Sequence, residues 1–508
     1  MSTRLHRLFG RLLPIPLAAS LLLSVPAVSA ADGVSAVSGS GSSAVSGSGS
    51  TAVSTAVRNP AQETAADYAL FLKDKFGIEF GNTLKKGDFI AATAAALRLQ
   101  TGEDAEASAN AEAAATADAA ATADAAATAD AAATADAVVF ADVPASSPYY
   151  AAAAALYREG ILSGGTVNPE ARLTAINAAQ IAVKASGLKE LAYTYSADKA
   201  DRTLAPFNLS AALLGLQGAQ ELAAAIDTGL VPAEQLHLIR ERGPATAEYA
   251  AALLGKTLES RSEYKRYIGW VSDDNILNEL LNAYQASGIV KAPELQAIGD
   301  RALEDNLVTG YTIRDSRYES NFIDKLTITY AHADIRHALQ LVALLRSEGI
   351  DAKVQYEPRT SAFVYLQEWG DPGESEYYEV RQIANGNYIE YAKEYELIFE
   401  FRTPADRDRF DGIILEYAKK NEADQQGLIY GSWWQPLYYS NVRPKGDYKE
   451  IANNKLSDGR YYLESFSLVE QADEVAAAYK TDDPGITFST YTFWTNAAFY
   501  RYLSGESK

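Results

Sequence analysis

The C-terminal half of the chain alternates between the two-residue period of strands and the longer period of helices. Apolar residues alternate with threonines across 326–330, which predicts a strand with one buried face. The following segment, 333–348, places apolar residues on one helical face and ends at a glycine, so it predicts a helix. Two strand-like runs follow, 352–357 and 361–366, and are joined near Pro358.

The same order returns further along the chain. A strand pattern over 396–402 precedes Thr403 and Pro404, a favourable N-cap and first helical residue. A helical face then lies within 410–417, and residues 428–439 are predicted to return as a strand.

The complete order, β-α-β-β-α-β, predicts a ferredoxin-like α+β domain over 311–508. In this interpretation 368–394 is an insertion, and 442–508 adds a strand and a helix. A fold of this kind does not identify a function.

The N-terminal half carries a helical period in three similar units. In the middle unit, 140–187, a first helix is predicted over 150–159 and a second over 174–186. One helix pair is too small to bury its apolar face, so three units are expected to share one core. The flanking units are fainter, with helices predicted in 68–76 and 85–99, and in 221–226 and 245–258.

Two low-complexity segments interrupt this half. Residues 31–60 are rich in Ser, Gly and Ala and predict a flexible tether. Within 101–137 the sequence AAATAD occurs four times, and its six-residue period puts the aspartates on different sides of any helix. We interpret it as a solvated spacer between the first two units, with a specific binding surface as the alternative. The units with this insertion cover 61–270, and connecting helices are expected over 271–310.

Residues 1–30 have the features of a secretory signal peptide. Three arginines precede an apolar run over 12–25, and small residues follow at 28–30. We expect cleavage before Ala31. A transmembrane anchor is the alternative, but the run is short for a bilayer and is interrupted by prolines.

Composition narrows the possible chemistry. The chain of 508 residues has no cysteine, which excludes disulfides and thiolate metal sites, and its hydrophobic content of 48% can fill two or three cores. The net charge of −21 disfavours binding to nucleic acid and to anionic lipid. We therefore expect no nucleic-acid partner. Because no segment after residue 30 is apolar enough to span a bilayer, we also expect no membrane insertion after signal cleavage.

The middle helical unit contains a distinctive series of residues. It includes Phe140-Ala-Asp142-Val-Pro144, Tyr149-Tyr150, Leu156, Gly160-Ile161-Leu162, Gly164, Pro169 and Leu173-Thr174. This spacing resembles one repeat of the S-layer homology family. The resemblance implies an all-α, pseudo-threefold helical domain that attaches a secreted protein noncovalently to the bacterial cell wall. An unrelated alanine-rich bundle is the alternative.

The resemblance also implies a ligand, an anionic, pyruvylated secondary cell-wall polysaccharide held between repeats. The family motif Thr-Arg-Ala-Glu, whose arginine can grip a carboxylate, corresponds here to residues 85–88, 174–177 and 245–248. The arginine position is occupied by Lys86, by an alanine and by a threonine, so a module retained only for structure or protein binding is an alternative. The candidate polymer-binding residues are Lys85, Lys86, Asp88, Arg172, Thr174 and Glu248.

No nucleophile elbow, phosphate-binding loop or zinc-protease motif occurs, and we assign no catalytic residue, metal or cofactor. His332, Asp334 and His337 lack the spacing of a helical metal pair, so we favour a helix-start aspartate with incidental histidines. A hydrolase of cell-wall polysaccharide or peptidoglycan is the alternative function. Its acid and base could come from the acidic loop with Glu368, Asp371, Glu374, Glu376 and Glu379.

Aromatic residues crowd the C-terminal half. Exposed rings at Trp369, Trp433 and Trp434 could stack on sugars or anchor a protein partner, whereas buried rings would simply form the core. We expect the C-terminal half to act as an interaction or binding module.

Overall fold

The structure is a computed structural model that describes residues 63–99, 140–163, 165–417, 437–482 and 486–506. The predicted signal peptide, the tether and the acidic spacer lie outside the described residues. Two parts are distinguished below. The helical region comprises the described residues of 63–264, and the barrel region comprises those of 265–506.

The helical region is built from helices around one apolar core that is rich in alanine. Three helices begin at threonine N-caps, where the hydroxyls of Thr64, Thr174 and Thr246 accept hydrogen bonds from the backbone three residues later. The helices are α1 (Ala65–Phe76), α2 (Lys86–Ala96), α3 (Tyr150–Arg158), α4 (Ala175–Ala185), α5 (Lys189–Tyr193), α6 (Ala197–Leu204), α7 (Ala211–Leu214), α8 (Leu216–Asp227), α9 (Leu236–Arg240) and α10 (Ala247–Ser260).

These helices pack in a cyclic order. Helices α2, α4 and α10, the second helices of the three units, all contact one another. The first helix of each unit packs on the second helix of another unit, so that α1 contacts α10, α3 contacts α2 and α8 contacts α4. Close approach is possible because residue 255 in α10 is glycine. A Cβ atom there would lie 2.1 Å from the ring of Tyr68 in α1.

The barrel region is a closed antiparallel β-barrel of eight strands. Around it the order is β4-β2-β9-β8-β10-β7-β3-β6, and β6 pairs with β4 to close the circle. The short strand β1 adds to β4, and β5 adds to β6. The strands are β1 (Gly269–Trp270), β2 (Gly310–Asp315), β3 (Thr327–His332), β4 (Ala352–Tyr365), β5 (Tyr378–Gln382), β6 (Tyr388–Phe401), β7 (Leu437–Ser440), β8 (Tyr448–Asp458), β9 (Tyr461–Ser467) and β10 (Thr487–Asn496).

The predicted fold class, an all-α domain followed by a ferredoxin-like domain, is wrong because the sheet closes on itself. The two strands predicted around Pro358 are one strand of 14 residues, β4. Proline is accommodated there because β1 pairs with residues 353–354 and β2 with 359–363, and no described strand pairs with 355–358 on that edge.

Two other segments were also assigned wrongly. The predicted insertion 368–394 contains β5 and the beginning of β6. The predicted addition 442–508 supplies β8, β9 and β10, which are three of the eight barrel strands. Of the predicted strand 428–439, only the end is described, as part of β7.

Apolar side chains on the outside of the barrel are covered by helices. One cluster joins strand residues such as Val354 and Phe399 to Leu280, Val342 and Phe410 of surrounding helices, and a second cluster lies under two further helices. These helices are α11 (Ile276–Ala286), α12 (Pro293–Glu304), α13 (Ile335–Ser347), α14 (Pro404–Tyr417) and α15 (Ala472–Asp482); α16 (Ala497–Leu503) follows β10.

The barrel interior is polar. In β6, Leu397 and Phe399 belong to an outer apolar cluster, while Glu394, Glu396 and Glu400 alternate with the outward residues and are buried inside. Both faces of these strands are therefore buried, with opposite chemistry. Within the described residues, no helix combines the length and the hydrophobicity needed to cross a membrane.

Candidate functional site

An ionic network fills the middle of the barrel. The guanidinium group of Arg314 in β2 lies 2.9 Å from Glu396 in β6 and 3.1 Å from Glu464 in β9, and it also pairs with Glu357 in β4. Because β4 separates β2 from β6, the contact with Glu396 spans the interior of the barrel. All of these carboxylates are buried.

A second arginine extends the network towards one end of the barrel. Arg359 in β4 donates from Nε to Glu394 at 3.0 Å and from Nη1 to Glu396 at 2.9 Å. The hydroxyl of Ser361 also donates to Glu394, and the hydroxyl of Tyr439 donates to Glu396 at 2.9 Å. The buried charges are thus held by several strands at once, which fixes their positions.

This network has more negative than positive groups. Four carboxylates (Glu357, Glu394, Glu396 and Glu464) face two guanidinium groups. Burial raises the pKa of Glu357 to about 7, although Arg314 opposes the shift. Burial also disfavours the charged form of Glu464, but Arg314, Lys455 and a hydrogen bond from Asn453 together outweigh it, so the pKa of Glu464 lies below its ordinary value. The excess negative charge is therefore divided unequally among the carboxyl groups.

A cavity of about 120 Å³ lies beside this network, at the end of the barrel where α16 packs. Its polar wall includes Thr312, Arg359, Ser361, Glu394 and Glu464, and its apolar wall includes Phe466, Phe499, Tyr502 and Leu503. A concave site with a few fixed polar groups and apolar walls is the usual form of a small-molecule site.

A separate ionic cluster joins the barrel to the helical region. Glu400 in β6 lies 2.8 Å from Lys265 and 3.1 Å from Lys353, and Lys353 also pairs with Glu63, which precedes α1. Burial opposes the charge of Lys353, but Glu400 and Glu63 outweigh it and raise its pKa. The two positive and two negative groups balance, so this cluster acts as a junction and leaves no charge unmatched.

The starts of the three second helices lie side by side in the helical region. The backbone amide of Leu173 donates to Leu84 at 2.8 Å, and that of Ala245 donates to Leu173 at 2.9 Å. Lys85 and Arg172 form an antiparallel bridge, as do Thr174 and Pro244. The structure therefore brings together the helix starts that contain the candidate polymer-binding residues.

Three of those six residues have structural partners. Lys85 pairs with Glu170 at 2.7 Å, and Asp88 accepts a hydrogen bond from Tyr149 at 2.9 Å. Thr174 caps α4 by accepting from the amide of Asn177. Arg172 and Glu248 are exposed.

Lys86 differs from its neighbours. Its ammonium group is half-buried, and no hydrogen bond or ion pair to it is found within the described residues. Burial lowers its pKa and the positive charge of Lys184 lowers it further, while the negative charge of Asp142 partly opposes both. Because no group among the described residues contacts this ammonium directly, it can bind an anion, with Asp142 as the competing charge of the protein.

The aromatic and acidic candidates of the C-terminal half do not form one site. Trp369 is 42% exposed and its ring contacts Tyr365 edge-on, while Trp433 and Trp434 lie outside the described residues. The five loop acids are all exposed, and Glu379 pairs with Lys291 at 2.8 Å. An exposed acidic loop lacks the enclosed pair of carboxyl groups that a glycosidase needs, which counts against this version of the hydrolase alternative.

The residues around His332 lie at the N-terminus of α13 and have structural roles there. Asp334 is the N-cap, where it accepts from the amide of Arg336, and the rings of His332 and His337 stack with centroids 4.2 Å apart. No group of three or more potential metal ligands is found among the described residues.

Sequence reasoning missed the ionic network inside the barrel, called here the lumen network, which consists of Arg314, Glu357, Arg359, Glu394, Glu396 and Glu464. A signal was present, because charged residues occupy alternate positions in β4 and β6, at Glu357 and Arg359 and at Glu394 and Glu396. The sequence analysis drew nothing from this alternation, and the closed barrel turns the charged face inward. No protein-family model, curated protein or solved structure matches the chain, so its function is argued from these sites.

Proposed function

We propose that the protein is a secreted cell-surface protein that attaches noncovalently to the bacterial cell wall through its helical region and carries the barrel as a binding module. The ligand of the helical region is an anionic secondary cell-wall polysaccharide. The observation that carries this proposal is the half-buried Lys86 beside the adjoining helix starts, to which no described residue forms a hydrogen bond or ion pair.

The chemistry of this site suits a carboxylate on a flexible polymer. An ammonium group that is partly desolvated forms stronger charge-assisted hydrogen bonds than a fully solvated one. Lys184 adds a nearby positive charge, although it also pairs with Glu221 at 3.2 Å. Exposed Arg172 lies on the adjoining segment, where it can contact a longer chain. Together these groups support recognition of negative charge.

A sedimentation assay tests the attachment. The mature chain from Ala31 onward is mixed with purified, protein-free cell walls, and the bound fraction is measured after centrifugation. We expect binding that decreases as salt is raised, because the contacts are ionic. Walls whose polysaccharide has been removed by acid extraction should bind little. Failure to sediment above a control protein would reject the proposed attachment.

Two variants locate the binding site. Lys86→Ala should weaken binding by about tenfold or more, since hydrogen bonds to charged groups contribute about 1.5 to 3 kcal/mol. Lys325→Ala is the matched control, because it removes the same charge from an exposed position of the barrel region. Equal behaviour of the two variants would exclude the surface around Lys86 as the attachment site.

A further inference from the structure

The cavity at the end of the barrel is small enough to limit its ligand. Its volume is about 120 Å³, whereas a buried cavity of about 150 Å³ accommodates benzene. The bound part of a ligand is therefore about five non-hydrogen atoms. Helix α16 contributes Phe499, Tyr502 and Leu503 to the wall of the cavity, which remains partly open to solvent.

The polar wall has unused hydrogen-bond acceptors. All three hydrogen bonds to Glu394 reach Oε2, two from Arg359 and one from Ser361, and Oε1 has no donor among the described residues. Thr312 also lines the cavity and is only 9% exposed, and its hydroxyl has no hydrogen-bond partner in the described part of the chain. An unpaired buried polar group is costly, and a ligand that donates hydrogen bonds would remove that cost.

Charge favours a positive ligand. The lumen network has two more carboxylates than guanidinium groups, and Glu394 lies at its cavity end. Glu390, four residues before Glu394 in β6, is half-buried. Burial, together with the negative charge of Glu394, raises its pKa to about 7. A bound cation would compensate these carboxylates inside a medium of low polarity.

The opposite wall suits a hydrocarbon chain. Phe466, Phe499 and Tyr502 present aromatic rings, and Leu503 adds an aliphatic side chain. Alkyl groups gain from leaving water for such a surface, and aromatic faces also attract cations.

From this combination we infer that the cavity binds a small organic cation, with a primary ammonium group at Glu394 and Thr312 and a short hydrocarbon chain against the aromatic wall. This inference rests on the proposed role of the barrel as a binding module. It specifies the ligand class of that module and makes no use of the helical region.

Calorimetric titration of the mature chain tests the ligand class. The probes are n-butylammonium chloride, n-butanol and sodium n-butyrate, which share a hydrocarbon chain and differ in charge. At pH 8 and constant ionic strength we expect one-to-one binding of n-butylammonium, and at least tenfold weaker binding of the other two probes.

Three variants test the contacts. Glu394→Gln keeps the shape and removes the charge, and it should weaken n-butylammonium binding by tenfold or more. Because Arg359 loses a charged partner in that variant, Thr312→Val provides a milder test that leaves the network intact; it should weaken binding by about tenfold. Ser465→Ala is the control, since it removes another buried, unpaired hydroxyl that does not line the cavity, and binding should be unchanged.

The possible outcomes distinguish failure of this inference from failure of the proposed wall attachment. If n-butanol or n-butyrate binds as tightly as n-butylammonium, the cationic ligand class is wrong while the barrel remains a binding module. If Thr312→Val and Ser465→Ala bind n-butylammonium equally, the assigned position of the ammonium group is wrong. If none of the probes binds, both the inference and this cavity's part in the proposed function fail, whereas wall sedimentation is unaffected.

Discussion

The helical region and the barrel region place their apolar and charged side chains in opposite ways. The helices point small apolar side chains towards a common core and keep ion pairs such as Lys85 with Glu170 at the surface, with one buried pair, Lys184 and Glu221, at its edge. The barrel puts its apolar side chains outside, beneath helices, and encloses its ions. The difference indicates that close packing determines the stability of the first region, whereas charge compensation governs the second.

The strongest test of this contrast removes one charge from the lumen. In Arg314→Met, three carboxylates lose their common partner, so we expect a loss of about 3 to 5 kcal/mol in the free energy of unfolding, measured with urea. Arg172→Met, which removes an exposed arginine from the helical region, is the control and should change stability by about 0.5 kcal/mol at most. Similar losses in both variants would contradict the comparison.

Packing in the helical region is tested by adding one methyl group. Gly255→Ala would force α1 and α10 apart, because the new Cβ atom would meet the Tyr68 ring. We expect the free energy of unfolding to fall by about 3 kcal/mol. Gly81→Ala is the control, since the Cβ position at residue 81 is open. Thermal unfolding followed by circular dichroism measures both variants. A tolerated alanine at 255 would mean that this contact is looser than the structure indicates.

The pH dependence of stability, compared between the unmodified chain and one variant, isolates the contribution of Glu357 in the barrel interior. The pKa of Glu357 is raised from 4.5 to about 7 in the folded state, so its contribution to stability is complete below about pH 4.5 and is lost as pH rises through 7. Glu357→Gln cannot lose a proton. Between pH 5 and pH 8 it should therefore lose about 1 to 3 kcal/mol less stability than the unmodified chain does. Parallel stability curves for the two proteins would show that Glu357 does not titrate in this range.

The smallest effect is expected at the surface of the helical region. Lys85 and Glu170 are 48% and 68% exposed, so their ion pair is well solvated. We expect Glu170→Ala to change the free energy of unfolding by less than about 1 kcal/mol, with a further decrease of the effect at high salt. A loss comparable to that of Arg314→Met would remove the distinction between surface and lumen ion pairs.

Local structure was more accessible to sequence reasoning than architecture was. The predicted helix 174–186 corresponds closely to α4 at Ala175–Ala185, because a threonine cap and an apolar face are local signals. The predicted break at Pro358 is wrong. The strand tolerates proline because neither β1 nor β2 pairs with that position, and the placement of these strands depends on distant parts of the chain. The candidate site shows the same limit. Arg314 and Glu396 are far apart in sequence, and no local pattern brings them together.

The amino-acid sequence determined the periods of the elements, the helix caps, the absence of cysteine and the alternation of charged with apolar residues in β4 and β6. The tertiary structure decided which side of those strands is inside. A period of two assigns side chains to two faces but carries no information about what will cover each face. Closure of the barrel encloses the charged face, and the surrounding helices cover the apolar one, so the same alternation that is typical of a solvated strand forms a buried ionic site.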